Sequence, residues 1–271
     1  LGPRLSWRKG DLAATIKPPA DPVLKDPAQF TLIGTDRVRR KDSLAKSTGT
    51  ARFTQDVHMQ DMKVAVVAHA PLFGATVKSF DDTETRKISG VVNVIQIPSG
   101  VAVVADDTHT ASQGRAALKV VWDDSKAEKR SSPEIFAEYG RIASGDAGKL
   151  KALKFETKGD PAKAGGADAL AVTYDFPFLA HAPMEPMNCV AQVDGHTCKL
   201  TFGSQIQSLD QINSALIVYT LPGAVKIETL FAGGSFGRRA NPKSDYVTDC
   251  VHIAKKLGAG RPVKLVWTRE D

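Results

Sequence analysis

The chain has too few cysteines for a disulfide framework: Cys189, Cys198 and Cys250 among 271 residues. No CxxC occurs and no Cys/His cluster has zinc spacing, which excludes a structural zinc module. Cys189 and Cys198 flank Asp194-Gly195, which reads as a two-residue hairpin turn. That turn pairs Ala191 with Cys198 and Cys189 with Leu200, leaving the two thiols as diagonal neighbours, poorly spaced for a bond. Long apolar runs are lacking too. The nearest, Val64 to Val77, is broken by Pro71 and Gly74, so no membrane-spanning helix is expected. Neither a P-loop nor GxGxxG is present, which removes two common routes to nucleotide phosphates. A charged start followed by an apolar stretch is missing as well, and the chain begins at Leu1 rather than Met, so compartment is left open.

The formal charge of +6 is not spread along the chain. Residues 1–50 hold 10 basic and 5 acidic side chains, and the other 221 residues hold 26 and 25. An excess confined to one leading segment, with few aromatics beside it, describes a solvated connector better than a phosphate track, so nucleic acid is not expected as a partner.

What is present is an α+β pattern. Residues 1–46 carry Pro18, Pro19, Pro22 and Pro27 and read as an extended connector. Residues 47–124 alternate as a small module: strands at Val64–Ala68, Thr76–Phe80, Val91–Ile97 and Val101–Ala105, and a final strand at Val120–Trp122. A short helix is expected after an Asp82 cap, and an alanine-rich one after a Thr108 cap. Residues 125–165 read as a polar linker with a helix at Pro133–Ile142, and residues 166–271 as a second domain. Ordered elements there resume at Ala169–Tyr174, followed by a hairpin (Cys189–Val193, Thr197–Phe202) and a helix from Ser208 to Tyr219. In that helix Leu209, Ile212, Leu216 and Tyr219 recur at helical spacing. Then come a strand at Val225–Leu230, a helix at Asp245–Leu257 stopped by Gly258, and a strand at Pro262–Trp267.

Two stretches carry chemistry. Gly233-Gly234-Ser235-Phe236-Gly237-Arg238-Arg239 joins a strand to the last helix; its glycines permit positive φ and close backbone approach, and its arginines could hold an anion. His181-Ala182-Pro183-Met184-Glu185-Pro186 offers a His–Glu pair that serves either as acid and base or as a satisfied structural pair. Between them Gln205 and Gln207 are amides that either face a ligand or cap the following helix.

HAPMEP, a strand ending in GSQ, a helix and strand, GGSFGRR and then RPVKLVWTRED, in that order, resemble the large subunit of the molybdenum hydroxylases, the xanthine dehydrogenase and aldehyde oxidoreductase superfamily, nearest the isoquinoline 1-oxidoreductase β-subunit type. Residues 47–124, with GVAVVAD and the VVWD ending, resemble that superfamily's small a/b hammerhead domain. The resemblance implies a molybdopterin cofactor, in bacteria usually the cytosine dinucleotide form, with no protein ligand to the metal. It implies that Gln205 hydrogen-bonds an oxygen on the molybdenum, that Gly234, Ser235, Phe236, Gly237 and Arg238 bind the cofactor, and that His181, Met184 and Glu185 form the site's wall. Ser235 stands where a third glycine is usual, and Phe202-Gly203-Ser204 replaces a common Trp before the Gln. By the same resemblance the partners are a small [2Fe–2S] subunit, a cytochrome in some members, and an aromatic or aldehyde substrate, and the compartment is bacterial periplasm or cytoplasm. A glutamate base belongs near the subunit's far end, past Asp271, so the chain reads as an interior fragment, inactive alone. The competing reading is a non-catalytic binding or assembly module that keeps the hammerhead fold.

Overall fold

The computed structural model describes residues 17, 19–146, 148, 156, 158–160, 163, 166, 170 and 172–271. Ala169 and Ala171, within the expected Ala169–Tyr174 element, lie outside the described residues, as do parts of the leading segment and the linker. Two compact units result, Leu1–Ala51 and Arg52–Asp271. In the first, Asp26 caps a 3-10 turn at Pro27–Gln29 by accepting from the Ala28 N–H at 2.8 Å. A short helix α1 (Ser43–Ser47) follows, with Asp42 paired to Arg40 and Lys46.

The second unit is built on a seven-stranded mixed sheet. Its strands are β1 (Lys63–His69), β3 (Val91–Ile97), β4 (Gly100–Ala105), β6 (Asn188–Asp194), β7 (Thr197–Phe202), β8 (Val225–Thr229) and β9 (Val263–Val266), in the order β3-β4-β1-β9-β6-β7-β8. β2 (Thr76–Asp81) and β5 (Lys119–Asp123) form a separate antiparallel ribbon. Helices are α2 (Thr108–Ala117), α3 (Ser132–Ala143), α4 (Gln207–Val218) and α5 (Asp245–Leu257). β9 runs parallel to β1 and antiparallel to β6, so one sheet continues across the two stretches that the sequence reads as separate modules.

Both faces of this sheet are covered at β1 and β4. Period-2 alternation sends Val66 and Ala105 toward Ala111 of α2, and sends Ala65, Val67, Ala102 and Val104 into the larger core under Tyr246, Cys250, Ile253 and Ala254 of α5. β4 is buried along its whole length, which explains its unbroken apolar run. Helix α2 lies close on the strands because Gly114 has no side chain; a Cβ there would stand 2.6 Å from Val103 Cγ1. β7, α4 and parallel β8 form a crossover unit.

Local details depart from the sequence reading. The hairpin turn is Gly195-His196, with Asp194 opposite Thr197 and Val193 opposite Cys198. Gly195, at φ +54°, takes the first turn position, where a left-handed residue matches strand twist. Cys189 and Cys198 are therefore farther apart than diagonal neighbours, and all three cysteines are free and buried. Asp107, not Thr108, caps α2 by accepting from the Thr110 N–H at 2.8 Å. Asp82 caps nothing; it pairs with Arg86, and the helix shrinks to a 3-10 turn at Thr85–Lys87. On α4 the buried face is Asp210, Ser214, Ala215 and Val218, while Leu216 and Tyr219 of the expected apolar stripe are exposed.

Candidate functional site

The His181–Pro186 segment leads into β6, and the loop 233–239 leads from β8 to α5. Their backbones meet directly: Glu185 N–H donates to Gly233 O at 3.0 Å, and Gly233 N–H donates to Glu185 Oε2 at 2.7 Å. Only glycine permits this approach, since a Cβ at 233 would lie 2.5 Å from the Glu185 Cβ. Arg239 locks the junction. It is 1% exposed, and its Nη2 donates to Glu185 Oε2 at 3.0 Å, its Nε to Gly234 O at 3.0 Å and its Nη1 to Gly203 O at 3.4 Å. One buried cation thus joins the ends of three segments distant in sequence. Such a pair fixes geometry more than it adds stability, because both ions have left water.

Gly203 begins the turn that carries Gln205 out of β7. That turn is pinned from behind: Gly203 N–H donates to the Thr54 hydroxyl at 3.2 Å, and the Ser204 hydroxyl donates to Asp210 Oδ2 at 2.5 Å. Burial pushes the Asp210 carboxyl above the usual carboxylate range. From the front, the Ser235 hydroxyl donates to Gln205 Oε1 at 2.5 Å and accepts the Arg239 N–H at 3.0 Å. The Gln205 Nε2 donates to no described residue. Beside this chain, Phe236 is 78% exposed at φ +53°, a left-handed conformation that a bulky residue rarely adopts. Gly237 follows at φ +96° with open space where a Cβ would stand. The N–H groups of Phe236 and Gly237, like the Gln205 amide, have no acceptor among the described residues.

Of the residues singled out in the sequence, Gln205, Gly234, Ser235 and Glu185 are tied together directly or through Arg239. The rest are not. Arg238 turns away, forming two hydrogen bonds to Asp245 at 3.1 and 2.8 Å and lying 5.2 Å over the Trp267 ring. With Arg239 buried on Glu185, both arginines are already paired, so neither is a free anion ligand. His181 is exposed and makes no pair with Glu185, whose carboxylate is committed to Arg239 and Gly233. Met184 is 86% exposed and is held through its carbonyl, which accepts from Arg269 at 2.8 Å. Gln207 opens α4 and reaches only Thr229, at 3.5 Å.

Sequence reasoning passed over Arg239, because two consecutive arginines give no sign of which one is buried. It also missed a network along a cavity of about 860 Å3 that His181 and Arg238 help to line. There His69 on β1 meets Asp249 of α5 and Asp271, each at 3.0 Å, while Ser99 binds Asp249 and Arg115 binds Asp271. Burial by itself lowers the His69 pKa, but the two carboxylates outweigh it and raise the value to about 9. Its members are separated by dozens of residues, so no local motif announces them.

Among the described residues no cluster of His, Cys, Asp and Glu could hold a metal ion, and no helix is long and apolar enough to cross a membrane. The site's unpaired groups are donors, the Gln205 amide and the N–H groups of Phe236 and Gly237, which suit a group rich in acceptor atoms. Residues 144–271 match the family described as the molybdopterin cofactor-binding domain. The loop 233–239, Gln205 and Glu185 all lie inside the matched residues. The chain is similar to isoquinoline 1-oxidoreductase subunit beta of Brevundimonas diminuta, 30% identical over 92% of this chain and 32% of that protein. It is equally similar to a membrane-bound aldehyde dehydrogenase of Gluconacetobacter polyoxogenes, named for pyrroloquinoline quinone, at 30% identity over 92% of this chain and 33% of that protein. The chain therefore spans about a third of the length of these curated relatives. In fold it resembles quinoline 2-oxidoreductase from Pseudomonas putida 86, with a TM-score of 0.63 at 18% identity, over 86% of this chain and 34% of that one.

Proposed function

We propose that the chain is part of the large subunit of a molybdopterin-dependent oxidoreductase that hydroxylates N-heteroaromatic compounds or oxidises aldehydes with water as the oxygen source. Within it, Gln205 and the loop 233–239 form one wall of the cofactor cleft. The observation that carries this reading is the set of three donors without an acceptor among the described residues, Gln205 Nε2 on the turn after β7 and the N–H groups of Phe236 and Gly237 on the loop 233–239, all inside the molybdopterin-binding match. When bound, the group supplies the metal and its two-electron redox chemistry.

The chain's own residues bind and orient. With the group bound, the Gln205 amide N–H would donate to an acceptor oxygen on it and would stabilise negative charge there. Phe236 and Gly237 bring backbone against the group, with Gly237 avoiding a side-chain clash. Gly234 and Ser235 hold the loop's path, and Arg238 fixes its exit by binding Asp245 at the start of α5. Glu185 is a positioning residue, bound to Arg239 and to the Gly233 N–H, and not the base. His181 and Met184, both exposed, are the wall residues open to what lies across the cleft. The base is a glutamate contributed from elsewhere in the subunit.

The finer parts of the reading go together. Residues 47–124 are the a/b hammerhead domain, 1–46 a connector, 125–165 a linker and 166–271 the first part of the molybdopterin-binding domain. The cofactor is the cytosine dinucleotide form. Electrons leave through a small [2Fe–2S] subunit and, as in some members, onward to a cytochrome; nucleic acid is not a partner. The test is metal and cofactor analysis of the full-length complex together with dye reduction by isoquinoline and by an aldehyde. Molybdenum with either activity supports the reading. A complex free of molybdenum, or one that carries a quinone as the relative named for pyrroloquinoline quinone does in its name, overturns it.

A further inference from the structure

We propose that Ser235 is a positioning residue that sets which end of the Gln205 amide faces the cleft. This rests on the reading of Gln205 above. A glutamine amide has an acceptor end and a donor end of nearly the same shape, and rotation about its last torsion exchanges them at little cost. At an exposed position nothing intrinsic chooses between the two. Here the choice is made by one contact: the Ser235 hydroxyl donates to Gln205 Oε1 at 2.5 Å. The same hydroxyl oxygen accepts the Arg239 N–H at 3.0 Å, so its proton is directed outward, toward Gln205. A neutral hydroxyl accepting there would have to receive two N–H donors while its own proton went unused. The arrangement therefore favours Oε1 toward Ser235 and Nε2 toward the cleft.

The support behind Ser235 is rigid. Arg239 is buried and bound to Gly234 O and Glu185, which holds Ser235 between two fixed neighbours. Behind Gln205, Ser204 is held by Asp210 and Gly203 by Thr54. Both ends of the Ser235–Gln205 bond are thus mounted on anchored backbone, and the hydroxyl itself is the one part a single-atom deletion removes. A glycine at 235 supplies no such hydroxyl, so this chain fixes the amide by a means that a third glycine lacks.

A hydrogen bond of ordinary net strength biases the two orientations by roughly two- to tenfold. The variants are Ser235→Ala, Ser235→Thr and Gln205→Ala in the full-length, cofactor-loaded complex. Readouts are kcat and KM, molybdenum content, and the proton hyperfine pattern of the molybdenum(V) electron paramagnetic resonance signal. The expected result is that Ser235→Ala keeps its molybdenum and its KM, loses about two- to tenfold in kcat, and shows an altered hyperfine pattern, with Ser235→Thr restoring both. Should Gln205→Ala change rate and signal while Ser235→Ala changes neither, the positioning role is refuted and the reading of Gln205 stands. Should Gln205→Ala itself leave rate and signal untouched, the reading of Gln205 fails first, and the role of Ser235 with it. Loss of molybdenum from Ser235→Ala also counts against the proposal, since it assigns the hydroxyl to loop integrity.

Discussion

Replacing Glu185 by Gln removes one charge and almost no volume, and the structure says where the consequence appears. Arg239 has no exposed side-chain surface, and the Glu185 carboxylate is the only anion paired with it among the described residues. Leaving one partner of a buried pair uncompensated costs about 3–5 kcal/mol. Gln keeps an oxygen for the Gly233 N–H and the guanidinium, so the lower end, about 3 kcal/mol, is the appropriate figure. That penalty falls on the local junction between the HAPMEP segment and the loop 233–239, because the Arg239 guanidinium hydrogen-bonds to Gly203 O, Gly234 O and Glu185. In a large multidomain protein a single unfolding free energy is poorly defined. Native-state amide exchange of the full-length subunit reads local opening instead. With about 1.36 kcal/mol per tenfold, exchange in peptides covering residues 231–240 should quicken by about 100-fold in E185Q. Peptides from β4, which packs on the other side of the sheet's length, should be unaffected. If exchange at 231–240 changes by less than about threefold, Arg239 does not depend on Glu185 and the anchoring argument is wrong.

Three further outcomes are expected. His69 has a folded pKa of about 9 against 6.5 unfolded, so its contribution is complete below about pH 6.5 and is lost as pH rises through 9. At 20% side-chain exposure this amounts to about 3 kcal/mol, and the wild type should lose thermal stability between pH 6.5 and 9 far more than His69→Gln does; parallel profiles would refute it. Gly114→Ala drives a Cβ to 2.6 Å from Val103 and should lower stability by about 1–3 kcal/mol despite better helix propensity. Gly140→Ala on α3, with nothing within 4 Å, should instead raise it by up to about 1 kcal/mol, and differential scanning calorimetry of the pair separates packing from propensity.

The elements themselves were largely legible. Strands β1, β3, β4, β7 and β8 and helix α5 fall where alternation and helical spacing put them, because each signal is local and the punctuating residues are strong: Gly90 at φ +90° and Gly258 at φ +67°. Spacing alone misled on α4. Leu216 and Tyr219 repeat with helical period, yet the face that meets the sheet and α5 is the one bearing Asp210 and Ser214, and Asp210 holds the Ser204 hydroxyl of the turn after β7. The hairpin turn slipped for a similar reason: either Asp194-Gly195 or Gly195-His196 satisfies the sequence, and only strand pairing chooses the second.

By itself, the sequence determined the class of elements, the two glycine- and proline-marked stretches that carry chemistry, and the family they resemble. Those follow from residue types and short spacings. What only the tertiary structure decided is which groups are spent and which are free. Glu185 is committed to Arg239 and Arg238 to Asp245, while the Gln205 amide nitrogen has no partner among the described residues. It also decided that β9 lies between β1 and β6, so one sheet supports both halves of the second unit. The physical reason is common to both. Hydrogen bonds and ion pairs are settled by atoms brought together from positions 54, 185, 203, 205, 235 and 239, and no window of sequence contains them all.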